Sequence, residues 1–171
     1  VWLTWFSSPA AERPIYRHVL RTAPRRILEL GLGTLARTER LLRLAATLRP
    51  EQPIQFVGID RFESRSPTDA PGVSLKDAHR RLTNLGKVQL VPGAADASLA
   101  RVGNHIGVFD LVLVSSDESD LRSGKVWFFL QRLVRPESTI MIEESPGATW
   151  HAIGADVLES LAARSLQRRA A

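Results

Sequence analysis

The sequence predicts a doubly wound α/β protein, a mainly parallel sheet of about five strands with helices on both faces. Three observations carry this. Five short apolar runs recur along the chain, amphipathic segments at helical spacing alternate with them, and most runs stop at a glycine, an acid or a proline. The 171 residues, at 19.0 kDa, fit one domain. A hydrophobic content of 44% with a mean hydropathy of −0.08 excludes disorder, collagen and coiled coil.

Taken in order, Ser8-Pro9 offers an N-cap and first-turn pair, after which Ile15, Tyr16, Val19 and Leu20 repeat at helical spacing. Arg26 to Leu30 reads as a buried strand ending at Gly31. Leu41, Leu44, Ala45 and Leu48 then mark the apolar side of a helix, with Arg37, Arg40 and Arg43 expected on its outward side. Ile54 to Ile59 is a second strand, ended by Asp60. Arg61 to Val73, with two prolines and a glycine, reads as a long loop, a kind that is usually functional or disordered. A helix over Ser74 to Asn84, a third strand over Lys87 to Val91 and a short helix over Ala95 to Arg101 follow. Val108 to Val114 is the fourth strand, and Leu121 to Val134 is helical with Trp127, Leu130 and Val134 on one side. Thr139 to Ile142 is a fifth strand and Ile153 to Arg169 a last helix. The single domain, 1–171, divides into an N-terminal helical segment (1–24), a core (25–145) and a C-terminal helical segment (146–171).

Charge gives a second constraint. The 23 basic residues outnumber the 18 acids, for a net charge of +5, and only Lys76, Lys87 and Lys125 are lysine. No run of five like charges occurs, so scattered arginines on helix surfaces explain the balance better than a nucleic-acid footprint. The chain has no cysteine, which removes disulfides, zinc fingers and thiol nucleophiles. Its first six residues are apolar but lack a basic flank and are too short for a secretory leader, so a cytoplasmic location is expected. A start at Val1 rather than Met suggests that the chain continues upstream.

In a doubly wound sheet the ligand lies beyond the carboxyl ends of the strands, here Gly31, Asp60, Pro92, Ser115 and Glu143. At the first, Glu29-Leu30-Gly31-Leu32-Gly33 sets an acid before a Gly-x-Gly turn. The glycines allow close backbone approach, and the following helix directs free N–H groups and its positive dipole end to the same place. An anion seat beside a carboxylate suits a zwitterionic amino acid. At the second, Asp60 stands where an acid can take both hydroxyls of a ribose. Phe62 is placed either to stack on a base or to cap the core.

These residues resemble the class I S-adenosylmethionine-dependent methyltransferases, which have a Rossmann-like fold. The resemblance rests on Ile27 to Gly33, Val57 to Asp60, Val88 to Gly93 and Phe109 to Val114, in that order and spacing. It implies that Glu29, Gly31 and Gly33 hold the methionine moiety and Asp60 the ribose. The adenine falls to the segment Ala94-Ala95-Asp96, with Ser115 also lining the cofactor site. Two positions depart from the pattern: Leu35 replaces the third glycine of the turn, and Ala94 replaces the acid that usually follows the third strand's glycine.

A rival reading takes Gly31-x-Gly33-x-x-Ala36 as a dinucleotide fingerprint with Asp60 as its ribose acid, but Glu29 would then face a pyrophosphate at short range. A third reading is a degenerate domain that binds a nucleotide or partner without catalysis.

The fourth and fifth strand ends gather Ser115, Ser116, Asp117, Glu118, Asp120, Glu143 and Glu144. Such carboxylates could hold a hard divalent cation or serve as a general base. The pattern is similar to metal-dependent O-methyltransferases of the catechol type. Here, however, serine stands at the first acidic position and Glu143-Glu144 replaces an Asp-Asn pair. A metal on Asp117, Glu143 and Glu144 is therefore possible and not favoured. The base candidates are Glu143, Asp117 and His151, in that order; the other histidines have no ligand spacing. The acids also argue against a nucleic-acid substrate.

Only 28 residues follow Glu143, too few for the usual C-terminal hairpin of the family, so a shortened sheet whose free edge a homodimer could cover is expected. The expectation as a whole is a methyl transfer from S-adenosylmethionine to a small-molecule acceptor, at oxygen.

Overall fold

Apolar strands that alternate with amphipathic helices can bury both faces of a sheet only if the helices divide between them. The computed structural model describes residues 9–116 and 125–167, and these residues reach that solution. After a 3-10 turn over Ala10–Glu12, the elements are α1 (Arg13–Thr22), β1 (Arg26–Leu30), α2 (Ala36–Leu48), β2 (Gln55–Asp60) and α3 (Leu75–Leu82). Then come β3 (Lys87–Pro92), α4 (Ala95–Val102), β4 (Phe109–Val114), α5 (Lys125–Arg132), β5 (Val134–Ile142), β6 (His151–Ile153) and α6 (Ala155–Gln167).

Among the described residues the sheet has six strands in the order β3-β2-β1-β4-β5-β6, all parallel except β6. The order reverses between β1 and β4, the switch point where a crevice opens beyond the strand ends. Register brings these ends level. Leu30 lies opposite both Ile59 and Val114, and Val114 lies opposite Ile142. The pairing continues past the strands: the Gly31 N–H donates to the Ile59 carbonyl at 2.9 Å, Ser115 to Leu30 at 3.0 Å and Glu143 to Val114 at 3.1 Å.

Alternation along β1 feeds two cores. Ile27 joins Ile15, Tyr16, Val19, Leu41 and Leu42 from α1 and α2 on one face. Leu28 and Leu30 join Leu99, Trp127, Leu130 and Leu158 from α4, α5 and α6 on the other. On α3, the Ser74 hydroxyl accepts from the Asp77 N–H at 3.0 Å, an N-cap that sets where the helix starts.

Two boundaries differ from the sequence expectation. Val134 continues the helical spacing of Trp127 and Leu130, yet it starts β5 and pairs with Phe109 across a register shift. A single valine fits either period, and the partner strand decides between them. His151 belongs to β6, not to a helix approach: it pairs antiparallel with Ile142, and three residues are too few to show alternation in a sequence. Thus a sixth strand follows β5 where only a helical segment was expected. Ser8, expected as a cap, lies outside the described residues, and Pro9 takes the N-cap position of the 3-10 turn.

Candidate functional site

The turn after β1 depends on left-handed backbone. Gly31 has φ 79° and Gly33 φ 56°, conformations that glycine adopts without a Cβ penalty. Leu35 follows with φ 69° and caps α2. A left-handed leucine costs about 1–2 kcal/mol. Its side chain is fully buried, a gain of about 1.5–3 kcal/mol that offsets the strain. The position where the resembling family carries glycine therefore keeps glycine's conformation without glycine.

Glu29 is fully buried. Its Oε1 accepts from Arg37 Nε at 2.8 Å and lies 2.7 Å from Nη2, while Oε2 accepts from the Thr38 hydroxyl at 2.9 Å. Arg37 Nη2 also donates to the Gly31 carbonyl at 2.7 Å, and the guanidinium lies over the Trp150 ring at 4.7 Å. Burial pushes the Glu29 carboxyl above the usual carboxylate range, opposed by the charge and hydrogen bond of Arg37 and by Thr38. Burial also works against the Arg37 charge, but the surrounding carboxylates, Glu29 foremost with Glu12 and Glu143, together outweigh it and raise the guanidinium's pKa. Glu29 is thus not an open seat for a cationic amine; an internal cation already fills that place. This corrects two expectations at once, because Arg37 does not point outward. Arg40 does not either: its Nη2 meets Glu12 at 2.6 Å and its Nε donates to the Tyr16 hydroxyl at 2.9 Å. Of the three arginines expected on the outer side, Arg43 alone is exposed.

Asp60, 1% exposed, ties the second strand end to the first. Its Oδ2 accepts from the Leu32 N–H at 2.7 Å and the Gly33 N–H at 3.2 Å, so the acid and the glycine turn form one unit. Its Oδ1 accepts from the Phe62 N–H at 2.8 Å. Arg65 meets both oxygens, Nη2 at 2.6 Å from Oδ2 and Nε at 3.2 Å from Oδ1. Phe62 is buried in the core with Leu32 and Leu35, the second of its two expected roles, and so has little face to offer a base.

At the third strand end Ala95 is fully buried in the first turn of α4. Asp96, in the same turn, accepts from the Ala97 N–H at 2.6 Å, with Lys125 Nζ 3.9 Å away.

The fourth and fifth strand ends meet through Glu143. Its Oε2 accepts from the Ser116 hydroxyl at 3.0 Å and the Ser115 hydroxyl at 3.3 Å, and its Oε1 from the Gly147 N–H at 3.0 Å. Glu143 is half-buried, and its charge reaches Arg37, whose pKa it helps to raise. Glu144 and His151 turn to solvent and face each other at 3.5 Å, a pairing apart from the hydroxyls that hold Glu143. Asp117, Glu118 and Asp120 lie outside the described residues. Among the described residues, no three His, Cys, Asp or Glu side chains gather as a metal site, and no helix is long and apolar enough to cross a membrane.

The residues missed by sequence reasoning are Arg37 and Arg65. A signal for the first was available: an acid on a buried strand requires a cation, and the helix after a short turn runs back over that strand. No periodicity marks Arg65, because it sits in an irregular loop.

No protein-family model matches the sequence, nor does any curated protein. Solved structures do match in shape. The O-methyltransferase TomG from Streptomyces achromogenes, in complex with SAM, is 21% identical at a TM-score of 0.57, over 81% of this chain and 56% of TomG. An O-methyltransferase from Bacillus cereus, in complex with SAH, is 20% identical at 0.56, over 80% of this chain and 56% of that one. The SAH-bound Podospora anserina methyltransferase PaMTH1 is 17% identical at 0.54, over 95% and 68% respectively. The chain spans little more than half the length of the first two. With the strand order and the glycine turn described above, these likenesses show that the chain has the Rossmann-like fold of class I methyltransferases.

Proposed function

We propose that the chain is the cofactor-binding core of an S-adenosylmethionine-dependent methyltransferase acting on a small-molecule acceptor at oxygen. One observation carries this reading: Asp60, at the end of β2, is hydrogen-bonded to the N–H groups of the glycine turn after β1, which builds one continuous cradle at the switch point. The cradle fits the cofactor. Gly31 and Gly33 leave no Cβ in the way, Asp60 is the acid for the ribose, and the Ala94 to Asp96 segment and Ser115 border the adenosyl end. Glu29 serves as a positioning residue, anchoring Arg37 beside the turn.

The cofactor, when bound, supplies an activated methyl group. The displacement is in line, so the chain's task is placement more than proton chemistry. Glu143 is the base of choice: held at both oxygens by neutral donors, it can take a proton from an acceptor hydroxyl without losing its orientation. Asp117 and His151 stand behind it as alternatives. The carboxylates here oppose a nucleic-acid phosphate, which favours a small acceptor. A homodimer and a cytoplasmic location belong to the same reading, and sedimentation at several concentrations tests the first.

Calorimetry with S-adenosylmethionine, S-adenosylhomocysteine and NAD tests the whole. Heat with the first two and none with NAD is expected, together with loss of binding in Asp60→Ala but not in His151→Ala. Heat with NAD alone would sink the proposal in favour of the dinucleotide reading.

A further inference from the structure

We infer that Arg65 is an internal occupant of the ribose seat, so that a nucleoside engages Asp60 only by displacing this guanidinium. The inference rests on Asp60 being the ribose acid, as proposed above. Arg65 places one donor on each carboxylate oxygen, Nε on Oδ1 at 3.2 Å and Nη2 on Oδ2 at 2.6 Å. That is the pattern in which a vicinal diol presents two hydroxyls to a carboxylate. The two partners therefore compete for the same lone pairs.

Counting acceptor sites gives the same answer. A carboxylate offers about four lone-pair positions. Asp60 already meets five donors: the N–H groups of Leu32, Gly33 and Phe62 and two from Arg65. The three backbone donors are fixed by the turn and the strand end. The Arg65 donors are the ones that can leave. Their departure lowers the count to three and frees an acceptor position, on Oδ1, for a ribose hydroxyl, whereas with Arg65 in place a ribose meets a saturated acid.

The loop is built to hold Arg65 there. Arg65 Nη1 donates to the Ala70 carbonyl at 2.9 Å, and Asp69 accepts from the Ser66 N–H at 2.7 Å and from Arg61 at 3.4 Å. At Gly72 the backbone runs against the guanidinium so closely that a Cβ there would lie 2.3 Å from Arg65 Nε. Beside it the loop borders an open pocket of about 370 Å³ that Arg65 itself lines, which gives the released side chain somewhere to go.

The test is calorimetry on the wild type, Arg65→Ala and Gly72→Ala, titrated with S-adenosylhomocysteine and, in parallel, with adenosine. Adenosine carries the diol without the methionine. Gly72→Ala dislodges Arg65 from the far side while leaving Asp60 and Arg65 in the sequence, so it serves if Arg65→Ala disturbs folding. Melting curves confirm that each variant is folded. Both ligands are expected to bind Arg65→Ala at least tenfold more tightly than wild type, and Gly72→Ala severalfold more tightly. If adenosine tightens while S-adenosylhomocysteine never binds, the occupancy stands and the methyltransferase reading falls. Unchanged or weaker binding of S-adenosylhomocysteine in both variants, with measurable binding to wild type, overturns the occupancy alone. No binding of either ligand to any of the three overturns both.

Discussion

The two halves of the crevice handle their acids in opposite ways. At the ends of β1 and β2, Glu29 and Asp60 are sealed from water, and each is neutralised by an arginine, Arg37 or Arg65. At the ends of β4 and β5, Glu143 is half-buried and held by serine hydroxyls and a backbone N–H. The first half spends its charges on internal structure. The second keeps an oriented carboxylate near water, the condition a general base needs. Net charge therefore says little about the site: several of the chain's many arginines face inward, onto its acids.

The largest effect separates these halves directly. Arg37→Ala strands a buried carboxylate, which is expected to cost about 3–5 kcal/mol of stability in urea unfolding near pH 7. The sign of its pH dependence follows from Glu29, whose folded pKa burial raises and which loses its counterweight in this variant. A raised carboxyl contributes stability below its unfolded value, about 4.3, and loses it as pH rises through the folded value. The variant's deficit should thus shrink toward pH 4.5 and widen toward pH 8. A deficit under about 1 kcal/mol at every pH would show that the first half is not sealed by charge.

Next in size is the strain beside that pair. Leu35→Ala removes buried methyl groups and keeps a Cβ at positive φ, for an expected loss of about 2–5 kcal/mol. Leu35→Gly removes one methyl more, yet relieves about 1–2 kcal/mol of left-handed strain. The glycine variant is therefore expected to be at least as stable as the alanine variant, the reverse of an ordinary core position. Parallel thermal melts decide it, and a glycine variant lower by more than about 1 kcal/mol would mean that no strain is stored there.

These two positions show what the sequence could and could not disclose. Strand and helix identity was legible because each apolar run and each helical face is long enough to fix its own period. Asp60 and the glycine turn were legible for the same reason, since they are strand ends. Val134 and His151 were misplaced because a residue or two fits either period, and the partner strand settles the matter. Arg37 and Arg40 were assigned to solvent because helical periodicity describes apolar burial, while these side chains are drawn inward by acids on other elements. The pairing of Arg65 with Asp60 could not be read at all, for it depends on how an irregular loop folds back.

Glu143→Gln probes the other half. Glutamine keeps an acceptor for the Ser115 and Ser116 hydroxyls, and no partnered cation is stranded, so the change in stability is expected to stay below about 1 kcal/mol. A loss as large as that of Arg37→Ala would erase the contrast between the two regions.

The smallest expected effect supplies the control on the pH argument. His18, buried on α1, has its pKa lowered by burial and then by the charge of Arg21, whose guanidinium lies 3.5 Å from Nδ1. A lowered histidine is neutral in the fold, so its contribution is present above the unfolded value of about 6.5 and is lost as pH falls through the folded value. Relative to His18→Gln, the wild type should therefore lose a fraction of about 1 kcal/mol between pH 7 and pH 5 in urea unfolding. This slope has the opposite sign to the Glu29 slope that Arg37→Ala enlarges. Combining the two substitutions should leave only the stability that declines as pH rises, which assigns that decline to Glu29. If the double variant kept a loss toward pH 5, the acid-side slope would belong to another group, and the pH contrast between the two halves of the crevice could not be drawn from Glu29.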